Sequence, residues 1–255
     1  MPTTQQTVAL VTGGARRLGA AIVRDLAAHG FGVLIHCNTS HTDADALAHE
    51  INESGGRAAV LQADLTDMAA TDELVKHAGA LLGPVQLLVN NASRFDDDSA
   101  SDFDWETWDR HFDVHVKTPV RLTQQLAANL PDGHDGLVVN VIDQRVWRLN
   151  PRFFSYTLSK STLWTATQTM AQALAPRVRV NAIGPGPTLM NDRQQEKDFR
   201  RQTEGLLLER GPHLDEFGAT IRYLWQARSV TGQMIALDGG QHLAWETPDI
   251  YGIAE

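Results

Sequence analysis

The sequence predicts an α/β fold in which helices cover both faces of a seven-stranded parallel sheet. Short runs rich in valine, isoleucine and leucine alternate with longer amphipathic segments along most of the 255 residues. The short runs lack clean alternation, which is typical of strands buried on both faces. Neither an internal repeat nor a low-complexity linker marks a domain boundary. We therefore expect residues 1–255 to form a single doubly wound domain.

Seven segments are the predicted strands. In chain order they read TVALVT, FGVLIH, RAAVLQ, VQLLVN, GLVVNVI, VRVNAI and QMIALD. The segments between them carry a helical period. In LGAAIVRDLAAHG, for example, Leu18, Ile22 and Leu26 share one face, and Gly30 supplies a C-terminal stop.

The least regular segment lies at about 187–212, from Pro187 to Pro212. It is highly charged and stands between a Gly/Pro-rich turn and a later helix. Two interpretations stay open for it: a lid over a binding site, or a solvated helical insertion on the surface.

Composition excludes several classes of protein. A net charge of −9 disfavours a nucleic-acid partner, because such partners bind mainly through basic patches. No apolar run approaches the roughly 20 residues of a membrane helix. The single cysteine, Cys37, excludes an intrachain disulfide, and the opening MPTTQQ does not resemble a secretory leader. We expect a cytoplasmic protein that contacts neither nucleic acid nor membrane.

A glycine-rich turn, TGGARRLG from Thr12 to Gly19, follows the first strand and leads into the first helix. In such a turn, backbone N–H groups and the helix N-terminus bind a pyrophosphate. The spacing is close to T-G-x-x-x-G-x-G, with Arg17 in place of the middle glycine. Because strand and helix flank it correctly, the turn predicts a Rossmann-type dinucleotide site. The alternative is a tight turn without a ligand.

The end of the second strand favours NADPH over NADH. Enzymes that use NAD carry an acidic residue about 20 residues after the turn, which binds the ribose 2′-hydroxyl. Here the strand ends in polar residues without a carboxylate: His36, Asn38, Thr39 and Ser40. Arg16 and Arg17 in the turn add positive charge that attracts a 2′-phosphate. The alternative is that these are ordinary polar turn residues.

A metal ion is not expected. His111 and His115 have the i, i+4 spacing of zinc ligands on a helix, but no further ligand is apparent nearby. His36 and Cys37 adjoin the predicted phosphate pocket, where a metal would compete with the cofactor.

Tyr156 and Lys160 are four residues apart and share one face of a predicted helix. By Coulomb attraction, Lys160 can lower the pKa of the phenol, and it can also hold a nicotinamide ribose. The alternative is an exposed helix face without chemistry.

From about Val8 to Leu243 the chain resembles the short-chain dehydrogenase/reductases. TGGARRLG resembles their cofactor turn, and Tyr156 with Lys160 resembles their catalytic pair. Asp64 in ADLTD resembles the residue that meets the adenine, Asn90-Asn91-Ala92 resembles their NNAG motif with Ser93 as the variant, and Pro185-Gly186 resembles their PG motif. The resemblance implies a homotetramer. Together with the turn and the polar strand end described above, it predicts a cofactor site formed by Gly13, Arg16, Arg17, Leu18, His36, Asn38, Thr39, Ser40, Asp64, Leu65, Asn91, Ala92, Ser93, Tyr156, Lys160, Pro185, Gly186, Thr188 and Leu189.

Three departures from the family pattern resemble its pteridine reductase subgroup. Arg17 replaces a glycine, Asp143 replaces the usual catalytic serine, and Phe95 follows the NNAS sequence. The resemblance implies that Arg17 reaches substrate and cofactor, and that Phe95 stacks on a pterin opposite the nicotinamide. It implies Asp143, Tyr156 and Lys160 as catalytic residues and Arg17, Ser93, Phe95, Asp143 and Tyr156 as the substrate site. His115 stands where the family often has asparagine.

Asp143 should lie at the carboxyl end of the GLVVNVI strand, where open α/β sheets bind ligands. In a carbonyl reductase the residue there donates to an oxygen that becomes negative, which an ionised aspartate would repel. A pterin C=N bond instead takes hydride on carbon and a proton on nitrogen. An acid beside Tyr156 also opposes loss of the phenol proton. The alternative is that Asp143 only caps the turn that follows it.

Three functions remain open: an NADPH-dependent pteridine reductase, a short-chain reductase of a carbonyl or alcohol, and an NADPH-binding protein without turnover. Asp143 argues against the second, and the intact pair of Tyr156 and Lys160 argues against the third.

Overall fold

The computed structural model describes residues 6–190 and 193–247, and its centre is one parallel sheet. The strands are β1 (Val8–Val11), β2 (Gly32–Cys37), β3 (Arg57–Gln62), β4 (Val85–Asn90), β5 (Gly136–Val141), β6 (Val178–Pro185) and β7 (Met234–Leu237). They pair in the order β3-β2-β1-β4-β5-β6-β7, every pair parallel. All seven predicted strands and their parallel arrangement are confirmed.

Helices cover the sheet on both sides. They are α1 (Arg17–Ala28), α2 (His41–Glu53), α3 (Met68–Leu82), α4 (Trp105–Phe112), α5 (Thr118–Asn129), α6 (Phe154–Leu174), α7 (Glu196–Glu204) and α8 (Leu214–Gln226). A π-helical turn, Asp113–Lys117, joins α4 to α5, and short 3₁₀ turns span Gln144–Val146 and Gln241–Leu243. Apolar residues of α1, α2 and α8 pack on one face of the sheet, whereas those of α3, α5 and α6 pack on the other.

The strand order places a ligand crevice beside β1. The chain leaves β1 towards β2 and β3, then crosses back to β4 on the other side of β1. At such a switch point the loops at the carboxyl ends of the strands diverge and leave room for a dinucleotide. The glycine-rich turn follows β1 at this edge.

A buried chain of amides fixes α6 against the sheet. The Asn90 side chain donates to Asn140 Oδ1 over 2.8 Å, and the Asn140 amide donates to Thr167 Oγ1 over 2.8 Å. All three residues are buried. Buried polar groups are costly unless they are paired, so this network favours one position of α6, the helix that carries Tyr156.

The charged segment at 187–212 is partly helical. Its helix α7 buries no residue, as expected of a surface insertion. Residues 191 and 192 of that segment, like 1–5 and 248–255, lie outside the described part of the chain. Within the described residues, no helix is both long and apolar enough to cross a membrane.

Candidate active site

The glycine-rich turn is held open by contacts that exclude larger side chains. Gly13 has a positive φ of 61°, and a Cβ there would lie 3.0 Å from Ala92 Cα. A Cβ on Gly19 would collide with the Gly13 carbonyl oxygen. The turn therefore keeps its backbone close to β4 and exposes the first amides of α1, which is the arrangement that a pyrophosphate requires.

Thr12 and Asn91 connect this turn to the end of β4. Thr12 Oγ1 accepts from the backbone N–H groups of Asn91 and Ala92, both over 3.0 Å. The Asn91 amide donates to the carbonyls of Thr12 and Gly13 over 2.9 and 3.0 Å. Thr12 lay within the recognised motif, but the sequence did not indicate this supporting role.

His36 occupies a different place from the one predicted. Its Nδ1 accepts from the Gly13 N–H over 3.1 Å, and its Nε2 bonds to the Ala63 carbonyl over 3.1 Å. Burial lowers the pKa of this imidazole to about 4, so it is neutral at pH 7. With both nitrogens used inside the protein, the side chain supports the turn rather than offering a donor to a 2′-phosphate.

The remaining predicted 2′-phosphate residues gather at the exposed end of β2. Asn38 and Thr39 are exposed, and Ser40 precedes α2 without using its hydroxyl as a cap. Arg16 reaches the same place, since its Nε donates to Asp43 in the first turn of α2 over 2.6 Å. Hydroxyls, an amide, a guanidinium and a helix N-terminus fit a phosphate.

Asp64 lies at the next strand end, where an adenine is expected. Its Oδ1 accepts from the Thr66 N–H and hydroxyl over 2.9 and 2.8 Å, which holds the pKa of this carboxyl below its usual range. The neighbouring Leu65 is buried, and its carbonyl accepts from Thr118. The structure therefore presents Asp64 as a charged, exposed acceptor, with Leu65 anchoring the loop beneath it.

Asp143 both caps its own turn and faces the tyrosine. Its Oδ1 accepts from the Arg145 N–H over 2.8 Å, and its Oδ2 accepts from the Tyr156 hydroxyl over 3.0 Å. Capping of the turn and contact with Tyr156 are thus compatible, because each uses a different oxygen of the carboxylate. Burial raises the pKa of Asp143, while Arg145, Tyr156 and Lys160 oppose that rise.

The pKa of Tyr156 moves in the direction opposite to the one expected from Lys160. Burial raises it well above 10, and the charge and hydrogen bond of Asp143 raise it further. The Lys160 ammonium donates to the Val141 carbonyl over 2.8 Å and lies 5.7 Å from the centre of the phenol ring. Burial and the Asp143 carboxylate therefore outweigh any lowering of the phenol pKa by Lys160, in the direction predicted for an acid beside Tyr156, and the phenol holds its proton.

Lys160 itself is 2% exposed. Desolvation lowers its pKa to about 8, and the nearby Asp143 carboxylate limits the decrease. The ammonium consequently remains largely charged at neutral pH but loses its charge as the pH rises through about 8.

An aromatic pair forms one wall of the site. Phe95 stacks on Phe153 with ring centres 4.1 Å apart and meets the edge of Tyr156 at 4.7 Å. The Arg145 guanidinium lies 5.0 Å from the Phe153 ring, and Arg193 donates to the Phe95 carbonyl over 2.7 Å. Phe153 adopts a positive φ of 56° at the start of α6, which no sequence pattern indicated. Neither Phe153 nor Arg193 was predicted as a site residue.

These groups surround a cavity of about 840 Å³. The predicted site residues that line it are Arg17, Leu18, Phe95, Asp143, Tyr156, Pro185, Gly186, Thr188 and Leu189. Residues within 193–202 also line the cavity, so the described part of the charged segment borders the site. Arg17 links the glycine-rich turn to the charged segment, because its guanidinium donates to the Met190 carbonyl over 2.9 Å.

His115 packs against the ring of Tyr156, with ring centres 5.3 Å apart. Its Nε2 accepts from the Arg94 N–H over 3.1 Å and lies 3.0 Å from the Ser93 hydroxyl. Its Nδ1 is therefore protonated and donates to Ser159 Oγ over 2.8 Å. Burial and the Lys160 charge hold the pKa of His115 well below 6.5. Because this neutral imidazole has both nitrogens hydrogen-bonded inside the protein, it supports the loop before Phe95.

Replacement of His115 by leucine should lower stability without moving the pH profile. The change leaves the Arg94 N–H without its acceptor and leaves the Ser159 hydroxyl with only its bond to the Tyr156 carbonyl, which costs about 2–4 kcal/mol in a buried site. Thermal unfolding measures the loss of stability. The pH profile is measured as kcat from about pH 5.5 to about 9, a range that includes the usual histidine pKa of about 6.5. His115→Asn restores some bonding and should be intermediate. A shifted pH profile in His115→Leu would instead assign the imidazole a role in proton transfer.

Within the described residues, no group of three or more histidine, cysteine, aspartate or glutamate side chains could hold a metal ion.

Comparison with known proteins identifies the family. Residues 7–201 match the family model described as short chain dehydrogenase. The structure of FolM alternative dihydrofolate reductase 1 from Brucella suis, in complex with NADP, is 62% identical. The match covers 97% of this chain and 99% of that one, with a TM-score of 0.94. The FolM structure from Brucella canis, also with NADP, is likewise 62% identical over 96% and 98%, with the same TM-score.

A more distant relative, the 3-oxoacyl-[acyl-carrier-protein] reductase of Synechocystis, is 30% identical over 91% of this chain and 96% of its own. With the cofactor turn, the tyrosine and the lysine in place, the chain belongs to the short-chain dehydrogenase/reductase family.

Proposed function

We propose that the protein is an NADPH-dependent reductase of a pteridine-type substrate, converting a dihydropterin or dihydrofolate to its tetrahydro form. The observation that carries this proposal is the carboxylate of Asp143 bonded to the Tyr156 hydroxyl, where a carbonyl reductase needs a neutral donor. The two similar FolM structures, described as alternative dihydrofolate reductases and complexed with NADP, support it.

NADPH, when bound, supplies the hydride for the ring carbon. Tyr156 donates a proton to the adjacent ring nitrogen, since its raised pKa keeps the phenol protonated. Asp143, which lies 3.0 Å from that hydroxyl and whose pKa is also raised, returns a proton taken from solvent. The Lys160 ammonium stabilises the negative charge that Tyr156 and Asp143 carry during proton transfer. It also holds the nicotinamide ribose. Phe95 and Phe153 form the wall against which the flat ring packs.

NADPH consumption by the purified protein tests this function. The substrates are dihydrobiopterin, dihydromonapterin and dihydrofolate, set beside a panel of ketones. Activity on ketones alone would replace the proposal with the carbonyl reductase, an alternative that the Synechocystis relative favours. NADPH binding without consumption of the cofactor would indicate a protein without turnover.

Selectivity for NADPH over NADH should depend on Arg16. Arg16→Ala removes the guanidinium at the proposed 2′-phosphate site and should raise the KM for NADPH about 5- to 20-fold, with little effect on NADH. Steady-state kinetics with both cofactors measure this. Arg24→Ala is the matched control. Arg24 also links α1 to α2, through an ion pair with Glu50, but it lies further along α1, away from the glycine-rich turn. An equal loss with both cofactors in Arg16→Ala would contradict the assignment.

The remaining expectations stay predictions: the homotetramer, the cytoplasmic location, the single domain over 1–255 and movement of 187–212 as a lid. Light scattering of the purified protein tests the oligomeric state.

A further inference from the structure

A second cavity, of about 400 Å³, adjoins the catalytic cavity. Its lining is Arg148, Asp198, Arg201, Gln202, Gly205, Leu206, Leu207, Gln241 and Ala244. Asp198, Gln202 and Gln241 line both cavities, so the two share a wall. Resting on the proposed function, we infer that this tail pocket binds the p-aminobenzoylglutamate part of dihydrofolate and so selects tailed pterins.

The charge of the tail pocket suits an anion. Arg148 and Arg201 contribute two positive charges, and Asp198 contributes one negative charge. Arg201 has no side-chain hydrogen bond or ion pair with any described residue, and Arg148 makes one long bond, 3.4 Å, to the Gln241 carbonyl. Such guanidinium groups are ready to bind carboxylates, and the glutamate of dihydrofolate carries two. The tail pocket therefore has a net positive charge, although the chain as a whole has a net charge of −9.

The floor of the tail pocket suits an aromatic ring. Leu207 is 53% exposed although it borders the cavity, and Leu206, which also lines it, is buried. Gly205 and Ala244, which have small side chains or none, also line the pocket. A leucine surface beside two guanidinium groups matches an aryl group that ends in carboxylates.

The order of the two cavities follows the order of groups in dihydrofolate. The pterin end belongs with Asp143, Tyr156 and Phe95 in the catalytic cavity, and the junction presents the side chains of Gln202 and Gln241. Amide side chains at that point can pair with the amide that links aminobenzoate to glutamate. We expect a pterin with a short uncharged side chain to end before this junction.

The double variant Arg148→Ala/Arg201→Ala tests the tail pocket. The ratio of kcat/KM for dihydrofolate to kcat/KM for dihydrobiopterin should fall about tenfold, as expected from the loss of two exposed ion pairs. Arg200→Ala is the matched control, because Arg200 neighbours Arg201 on α7 but lines neither cavity. It should leave the ratio at the wild-type value.

Salt dependence provides a second readout. In the wild type the same ratio should decrease from about 0.05 to about 0.5 M NaCl, because salt screens the charge of the tail. The double variant should lack this decrease. An unchanged ratio in the double variant, including an equal loss for both substrates, overturns the tail pocket while leaving pterin reduction intact as a function.

Direct binding separates the tail pocket from catalysis. Calorimetric titration with p-aminobenzoylglutamate should show binding to the wild type that the double variant lacks, and equal heats for both would overturn the inference. A wild type that binds this compound but reduces no pterin would overturn the proposed function alone.

Discussion

Tyr156→Phe is expected to lower kcat for dihydropterin reduction by about 10²- to 10⁴-fold, the usual contribution of a positioned general acid. The change removes only the hydroxyl that bonds to Asp143. The ring keeps its edge contacts with Phe95 at 4.7 Å and with His115 at 5.3 Å, so the site should retain its shape. Steady-state turnover and NADPH titration by fluorescence measure the two effects separately. We expect the dissociation constant for NADPH to change by less than about threefold, since the chief loss is in the transition state.

Tyr223→Phe is the appropriate control for this experiment. Tyr223 is exposed on α8 and lies outside both cavities, so its hydroxyl should be dispensable. If Tyr156→Phe kept more than about a tenth of wild-type turnover, a different group would have to supply the proton, because general acids contribute at least about 10².

Strand positions were predictable because each strand is a continuous apolar run. In a fold with helices on both faces of the sheet, such a run is buried on both sides only as a strand of that sheet. Leu10, Leu34 and Leu88, for example, are fully buried on the face covered by α3 and α5. The relative position of Tyr156 and Lys160 was predictable for a similar reason, since the two residues are one helical turn apart and the intervening backbone fixes their relation.

The environment of a side chain was harder to predict than its place. His36 and Lys160 lie on the predicted elements, but burial decides their chemistry, and burial depends on the packing of several segments. The direction of the Tyr156 pKa depends on whether Asp143 or Lys160 contacts the hydroxyl, and only the fold shows that Asp143 does. The left-handed backbone of Phe153 has no signal in the sequence at all.

Asp143→Asn should separate the structural task of this residue from its chemical one. The amide oxygen can still accept from the Arg145 N–H, so the turn should hold its shape, and NADPH binding should change little. The variant has no group that takes a proton from solvent and passes it to Tyr156. We expect kcat at pH 7 to fall about 10²-fold, with Asp143→Ser similar or lower because its shorter side chain also weakens the contact with Tyr156. Turnover of the best pterin equal to that of the wild type would remove Asp143 from the mechanism.

The pH profile of the same variant tests the electrostatics. Because burial raises the pKa of Asp143, the protonated fraction grows as the pH falls towards that value, and wild-type kcat should rise in the acid direction. Asp143→Asn should lose this rise. On the alkaline side, wild-type activity should decline as Lys160 loses its proton near pH 8. Asp143 raises the Lys160 pKa, so its neutralisation lowers that pKa, and the alkaline decline should begin at a lower pH in the variant. If the alkaline decline began at the same pH in Asp143→Asn as in the wild type, the carboxylate of Asp143 and the ammonium of Lys160 would not interact. The proposed mechanism requires this interaction, because the two groups lie near Tyr156 and share its proton transfer.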